Sequence, residues 1–130
     1  MRHYPAAMLP DRFRAWARVL FWCALVGATI LAILPHPPQL PTDSLGDKFN
    51  HVLAFSVMAT FAWLGWPSAS RLRVVAGLSG LGALIEVVQA IPVLHRDADP
   101  RDWVADTLAV VVVTLVAAVL LRRKSANPGQ

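Results

Sequence analysis

Four apolar stretches, each about as long as a bilayer is thick, constrain this chain more than anything else in it. They cover residues of about 13–34, 47–66, 72–91 and 102–121. A hydrocarbon core of about 30 Å needs roughly 20 helical residues, or a few less where the bilayer adapts. Pro35, Pro67 and Pro92 close the first three stretches, Pro100 precedes the fourth, and Arg122-Arg123-Lys124 ends it. Proline inside a helix removes a hydrogen bond and clashes with the preceding turn, so these positions read as boundaries. The segment Pro35-His36-Pro37-Pro38 is expected to run as extended polyproline II. Composition agrees with this reading. Apolar residues make up 56% and charged residues 15% of the 130 residues, and the mean hydropathy is +0.52. Disorder, collagen and a water-soluble domain are excluded on those grounds. One cysteine, Cys23, allows neither an internal disulfide nor a multi-cysteine metal site, and it reads as a lipid or packing contact. The expected fold is all-α: residues 1–130 as one transmembrane bundle of four helices, with short loops that make neighbours antiparallel.

Charge sets the expected orientation. Arg2, Arg12, Arg14, Arg18, Arg71, Arg73, Arg122, Arg123 and Lys124 lie at one set of helix ends, nine of the 12 basic residues. Lys48, Arg96 and Arg101 lie at the other set, together with all of the acids except Asp11. Lys and Arg gather on the cytoplasmic side of membrane proteins, so both termini are expected there. The pI of about 10.2 does not indicate nucleic acid. Its cations are divided among juxtamembrane clusters that orient the chain and meet anionic lipid. The first span begins like a secretory signal, but its apolar core is long for one and it is expected to remain.

Polar residues collect at one end of the spans. The second helix opens with Asp47, Lys48, Asn50 and His51, and the fourth with Asp102 and Asp106, each pair four apart sharing a helix face. Glu86 and Gln89 share a face near the end of the third helix, Glu86 about 9 Å before Pro92 along the axis. An intramembrane carboxylate is costly and needs a partner, and Arg96, Lys48 or His51 are the candidates. Asp47 and Asp102 also suit helix N-caps, and Lys48 suits snorkelling to the interface. The small pairs Ala76/Gly80 and Ser79/Ala83 mark the third helix as the expected central packing helix. Trp16, Trp63, Trp66 and Trp103 stand near span ends, where an aromatic belt is expected.

Asp47-Lys48-x-x-His51, then Glu86-x-x-Gln89, then Arg96-x-x-Asp99-x-x-Asp102-x-x-x-Asp106 follow in order on successive helix ends. Over residues of about 30–120 this order resembles the VanZ-like family of small bacterial membrane proteins, named after a teicoplanin-resistance accessory protein. Asp106 and Ala109 depart from the Asn and Gly common in that family. The resemblance implies a multi-pass protein of the bacterial cytoplasmic (inner) membrane with a role in the cell envelope and, by association, in antibiotic resistance. It does not specify a reaction.

Two functions follow as expectations. In one, a pocket at the extracytoplasmic helix ends binds or processes a lipid-linked precursor or a glycan or glycopeptide ligand. Glu86 or Asp102 would then serve as general base, His51 as acid or orienting group, and Lys48 or Arg96 as a phosphate clamp. Asp47, Gln89, Asp99 and Asp106 complete the expected ligand-binding set. A divalent metal in this pocket would fall to His51, Glu86, Asp102 and Asp106, whose oxygens suit Mg²⁺ or Mn²⁺. In the other, the chain is a non-catalytic accessory or structural protein whose polar cluster ties the helix ends together. Expected partners are membrane lipids and the envelope ligand, and no nucleic acid.

Overall fold

A computed structural model describes the backbone of residues 9–126 and the side chains of residues 9–122. Arg2 therefore lies outside the described residues, as do the side chains of Arg123 and Lys124. Four α-helices account for most of the described chain, which contains no strand: α1 (Asp11–Ile33), α2 (Asp47–Gly65), α3 (Arg71–Gln89) and α4 (Pro100–Ala126).

The helix boundaries follow local chemistry. Leu34, before Pro35, is extended at φ −62°, ψ 132°, because the proline ring excludes the helical region for its predecessor. A 3-10 turn at Asp43–Leu45 leads to Gly46, whose φ of 96° is strained for any L side chain. Gly46 turns the chain into α2 and stands at its N-cap, so Asp47 is the first helical residue and not the cap. Pro100 opens α4 at its first position, where its missing N–H is not needed. Asp99 caps that helix: its Oδ1 accepts from Arg101 N at 2.9 Å, and its carbonyl accepts from Asp102 N. The cap expected at Asp102 thus sits three residues earlier.

The helices alternate in direction. Arg18 near the start of α1 donates through Nε to the Gly65 carbonyl at the end of α2, 2.8 Å away. Gln89 at the end of α3 donates to the Ala32 carbonyl at the end of α1, 2.9 Å away. α2 and α4 run parallel, joined by His51 to Asp106 at one end and by Trp63 Nε1 to Thr114 Oγ1 at 3.1 Å further along.

The core lies along α2. Phe55, Met58 and Ala59 from α2 pack with Leu78 and Ile85 from α3 and Val110 from α4. α2 packs extensively on both α1 and α4, whereas α3 leans mainly on α4. The central helix is therefore α2, not α3. Ala76, Gly77 and Gly80 face outward, and a methyl group added at Gly77 or Gly80 would meet nothing within 4 Å. Close packing on α3 falls instead at Gly82, where such a group would lie 3.3 Å from Asp106 Oδ2 and from Trp103 Cδ1.

Three helices, α1, α3 and α4, are long and apolar enough to cross a membrane. α2 is as long as α3, 19 residues, but it is not among them. Its first turn holds Asp47, Lys48, Asn50 and His51, and its apolar face is spent on the core. One tryptophan also leaves the expected belt: Trp63 is buried between α2 and α4. Trp103 stays exposed near the start of α4, its Nε1 donating to the Ser79 carbonyl at 3.0 Å.

Candidate functional site

The loop ends at one pole of the bundle bring together the polar residues marked in the sequence. His51, one turn into α2, is buried, and its Nδ1 lies 3.2 Å from Oδ2 of Asp106. Asp106, the seventh residue of α4, is 0% exposed. The 55-residue separation is bridged because α2 and α4 run parallel, so that the fifth residue of α2 and the seventh of α4 stand at the same pole. With Asp106 accepting a proton from Nδ1, the lone pair of a neutral His51 ring falls on Nε2. That nitrogen faces Asp47, whose Oδ2 is 3.7 Å away.

Lys48 and Asp102 form the second unit. Lys48 Nζ lies 2.8 Å from Asp102 Oδ1 and 3.8 Å from Asp99 Oδ2. The lysine is half exposed and the Asp102 carboxylate almost fully covered. Glu86 joins through the backbone: its Oε2 accepts from Asp99 N at 2.9 Å. The partner of this intramembrane carboxylate is an amide of the α3–α4 loop, where Arg96, Lys48 or His51 was expected. Three of these groups retain a buried acceptor with no donor among the described residues: Glu86 Oε1, Gln89 Oε1 and Asp106 Oδ1. A buried polar atom without a partner costs about 1–3 kcal/mol, a cost that working sites tolerate.

Beside this cluster lies an open cavity of about 500 Å³ between α1, the proline-rich loop and α2. Towards the middle of the bundle its wall is apolar, with Ala24, Ala28 and Leu31 from α1 and Ala54 and Val57 from α2. Its rim is polar: Asp43, Asp47, Asn50, His51 and Arg96. The size falls in the range of about 300–1,000 Å³ usual for ligand pockets. Asp43 received no role in the sequence reading. Its carboxylate accepts from Leu40 N and from Asn50 Nδ2, both at 2.8 Å, and Asn50 also meets Thr42. These bonds hold the proline-rich loop against α2 as one wall of the cavity. A polar run Thr42-Asp43-Ser44 between the prolines and the helix was the available signal.

The expected residues thus divide into those on the cavity rim (Asp47, His51, Arg96) and those behind it (Lys48, Glu86, Gln89, Asp99, Asp102, Asp106). Gln89 is fully buried and turned towards α1, where it ties two helix ends. For a metal, the donor set differs from the one expected. Asp47, His51 and Asp102 each bring one ligand atom within 4.8 Å of the others. Glu86 is committed to the loop amide, and Asp106 stands on the Nδ1 side of His51, where it would orient the ring and not coordinate. The ammonium of Lys48 already neutralises Asp102 within that set.

Together these features define a class: a small helical bundle of membrane-spanning character with a charged, partly buried cluster and an amphipathic cavity at one pole. The chain matches no protein-family model, no curated protein and no solved structure.

Proposed function

We propose that this chain is a VanZ-like protein of the bacterial cytoplasmic membrane, with α2 as its fourth span and both termini in the cytoplasm. Its cavity would open to the cell exterior and take the polar head of a lipid-linked or glycan-type envelope ligand. The observation that carries this reading is the Asp106–His51 pair, in which buried Asp106 backs a His51 that lines a cavity apolar towards the middle of the bundle and polar towards its pole. A ligand with one apolar and one polar end matches both surfaces. Asp106 fixes the imidazole so that Nε2 is the atom offered to the ligand, as acceptor of a hydroxyl or ammonium proton or as general base in a hydrolysis or group transfer. Arg96 is the rim cation available to a phosphate or carboxylate. The VanZ-type motif residues gather at this one pole, which agrees with the resemblance.

A second reading rests on Lys48, Asp99, Asp102 and Glu86. Their bonds join α2, α3 and α4 without reaching the cavity rim, which suits an accessory protein whose cluster ties helix ends.

The two readings separate in protein purified from bacterial membrane and examined by native mass spectrometry. On the ligand reading, wild type carries a bound envelope lipid or glycan that both His51→Ala and Asp106→Asn lose while remaining folded. If folded wild type and both variants carry the same molecules, the ligand reading falls and the structural one stands.

A further inference from the structure

At the opposite, basic pole a second cavity of about 330 Å³ separates α1 from α3, with the end of α2 behind it. Phe21 and Trp22 on α1, Trp66 after α2, and Leu78 and Leu81 on α3 line it. Its aromatic wall is pre-set. Phe21, Trp22 and Trp66 meet edge to face with ring centres 5.2, 5.3 and 6.4 Å apart, and Arg18 lies 5.5 Å over the Trp66 ring. The crevice opens on the outside of the bundle, since Trp22 is 55% exposed and Gly77 on α3 faces outward. Arg73 is the one charged residue that lines it. Among the described residues Arg73 has no carboxylate partner. Asp11, the one acid at this pole, is paired with Arg14.

We propose that this crevice holds one acyl chain of an anionic phospholipid whose phosphate is bound by Arg73. An apolar slot on the surface of a membrane-spanning bundle meets lipid tails, and its single cation stands at the helix ends, at the depth of headgroups. Guanidinium matches a phosphate in a two-pronged geometry, and basic pockets between spanning helices are a recurrent anionic-lipid site. Arg71, exposed two residues earlier, adds positive potential that repels the ammonium of zwitterionic lipids. The site is separate from the cavity at the acidic pole and stands whether or not that cavity binds a ligand.

Gly77 offers a clean block, because it lines the crevice and a Cβ added there meets nothing within 4 Å, which leaves room for a larger side chain at the crevice wall. The full chain is placed in nanodiscs of phosphatidylcholine with or without phosphatidylglycerol, and lipid retention is read by native mass spectrometry after release. Wild type is expected to keep phosphatidylglycerol over phosphatidylcholine. Arg73→Gln is expected to lower that preference about fivefold, the weight of one basic residue facing an anionic headgroup. Gly77→Leu is expected to abolish retention of either lipid, and Arg122→Gln on α4 to change nothing. Equal losses from Arg73→Gln and Arg122→Gln would reduce the effect to general attraction at the membrane surface and overturn the site. Undiminished retention in Gly77→Leu would do the same. Should Gly77→Leu fail to fold, the contrast between the two arginine variants decides the matter. A chain that forms dimers through this face, with no lipid retained, also overturns it.

Discussion

Asp106 shows how a single residue separates stability from function here. Its carboxyl is fully buried, satisfied on one oxygen by His51 and on the other by nothing among the described residues. Burying a carboxylate costs several kcal/mol, whereas a charge-assisted hydrogen bond returns about 1.5–3 kcal/mol. Asp106→Asn is isosteric and removes the charge while leaving an acceptor beside His51. Its unfolding temperature, read by thermal denaturation in detergent, is therefore expected to equal or exceed that of wild type, with ligand binding lost. A fall of several degrees would make Asp106 a structural residue. Lys48 poses the complementary question, because its ammonium supplies the positive charge that Asp102 faces. Lys48→Met is expected to lower the unfolding temperature, and Asp102→Asn in that background to restore part of it. Without Lys48, the donors of Asp47, His51 and Asp102 are free to take a divalent ion. Mn²⁺ or Zn²⁺ is accordingly expected to raise the unfolding temperature of Lys48→Met more than that of wild type, since a ligand stabilises the state that binds it. Equal responses would remove these three residues from consideration as a metal site.

On α3, the glycine with least room is Gly82. An added methyl would press at 3.3 Å on Asp106 and Trp103 and at 3.5 Å on Phe55. Asp106 and Phe55 are buried and cannot retreat to solvent. Gly82→Ala is therefore expected to destabilise the bundle by about 1–3 kcal/mol, the usual cost of overpacking. Gly80→Ala, two residues earlier and facing outward, is expected to be neutral or slightly stabilising. Thermal denaturation of the pair checks both, and equal effects would contradict the packing of α3 on α4 described above. This contrast also marks what the sequence could reveal. The helix ends were legible because Pro35, Pro67, Pro92 and Pro100 act locally. The proximity of His51, Asp102 and Asp106 was legible because four-residue spacing fixes a shared face. Which helix lies at the centre was not legible. Helices apolar on every side carry no strong moment, so their facing is decided by partners distant in sequence. Of the small pairs on α3, Ala76 and Gly80 face outward, whereas Ser79 meets Trp103 and Thr107 of α4 and the tightest approach on α3 falls on Gly82. The same holds for Gln89, whose partner is a backbone carbonyl 57 residues away, and for Trp63, whose indole found Thr114. No residue pattern announces a bond to a main-chain carbonyl on another helix.

For the molecule as a whole, the open question is how the bundle lies in a membrane, and α2 decides it. If α1, α3 and α4 cross while α2 does not, the loops after α1 and after α2 share one side. If α2 also crosses, the α2–α3 loop at Pro67–Ser70 lies opposite the α1–α2 and α3–α4 loops. α2 is 19 residues long, about 29 Å at 1.5 Å per residue, which matches a hydrocarbon core of about 30 Å. Its polar first turn is packed against α4 through His51 and Lys48 and so need not meet lipid tails. His51 is buried in protein and the half-exposed Lys48 is paired with Asp102, conditions under which polar residues persist at membrane depth. The described cations at the α2–α3 turn, Arg71 and Arg73, and Arg12, Arg14 and Arg18 of α1 lie at the same pole, the arrangement expected of a cytoplasmic side. Cysteine labelling in intact cells reads this directly. In a Cys23→Ser background, Asp97→Cys in the α3–α4 loop is expected to react with a membrane-impermeant thiol reagent added outside. Ala69→Cys in the α2–α3 turn is expected to react only after the membrane is opened. Labelling of Ala69→Cys alone would deny α2 its crossing or invert the bundle, and labelling of both from outside would deny α3 its crossing. If Ala69→Cys alone reacts, the cavity rimmed by His51, Asp47 and Arg96 no longer faces the cell exterior as a whole, and an envelope ligand arriving from that side could not reach it.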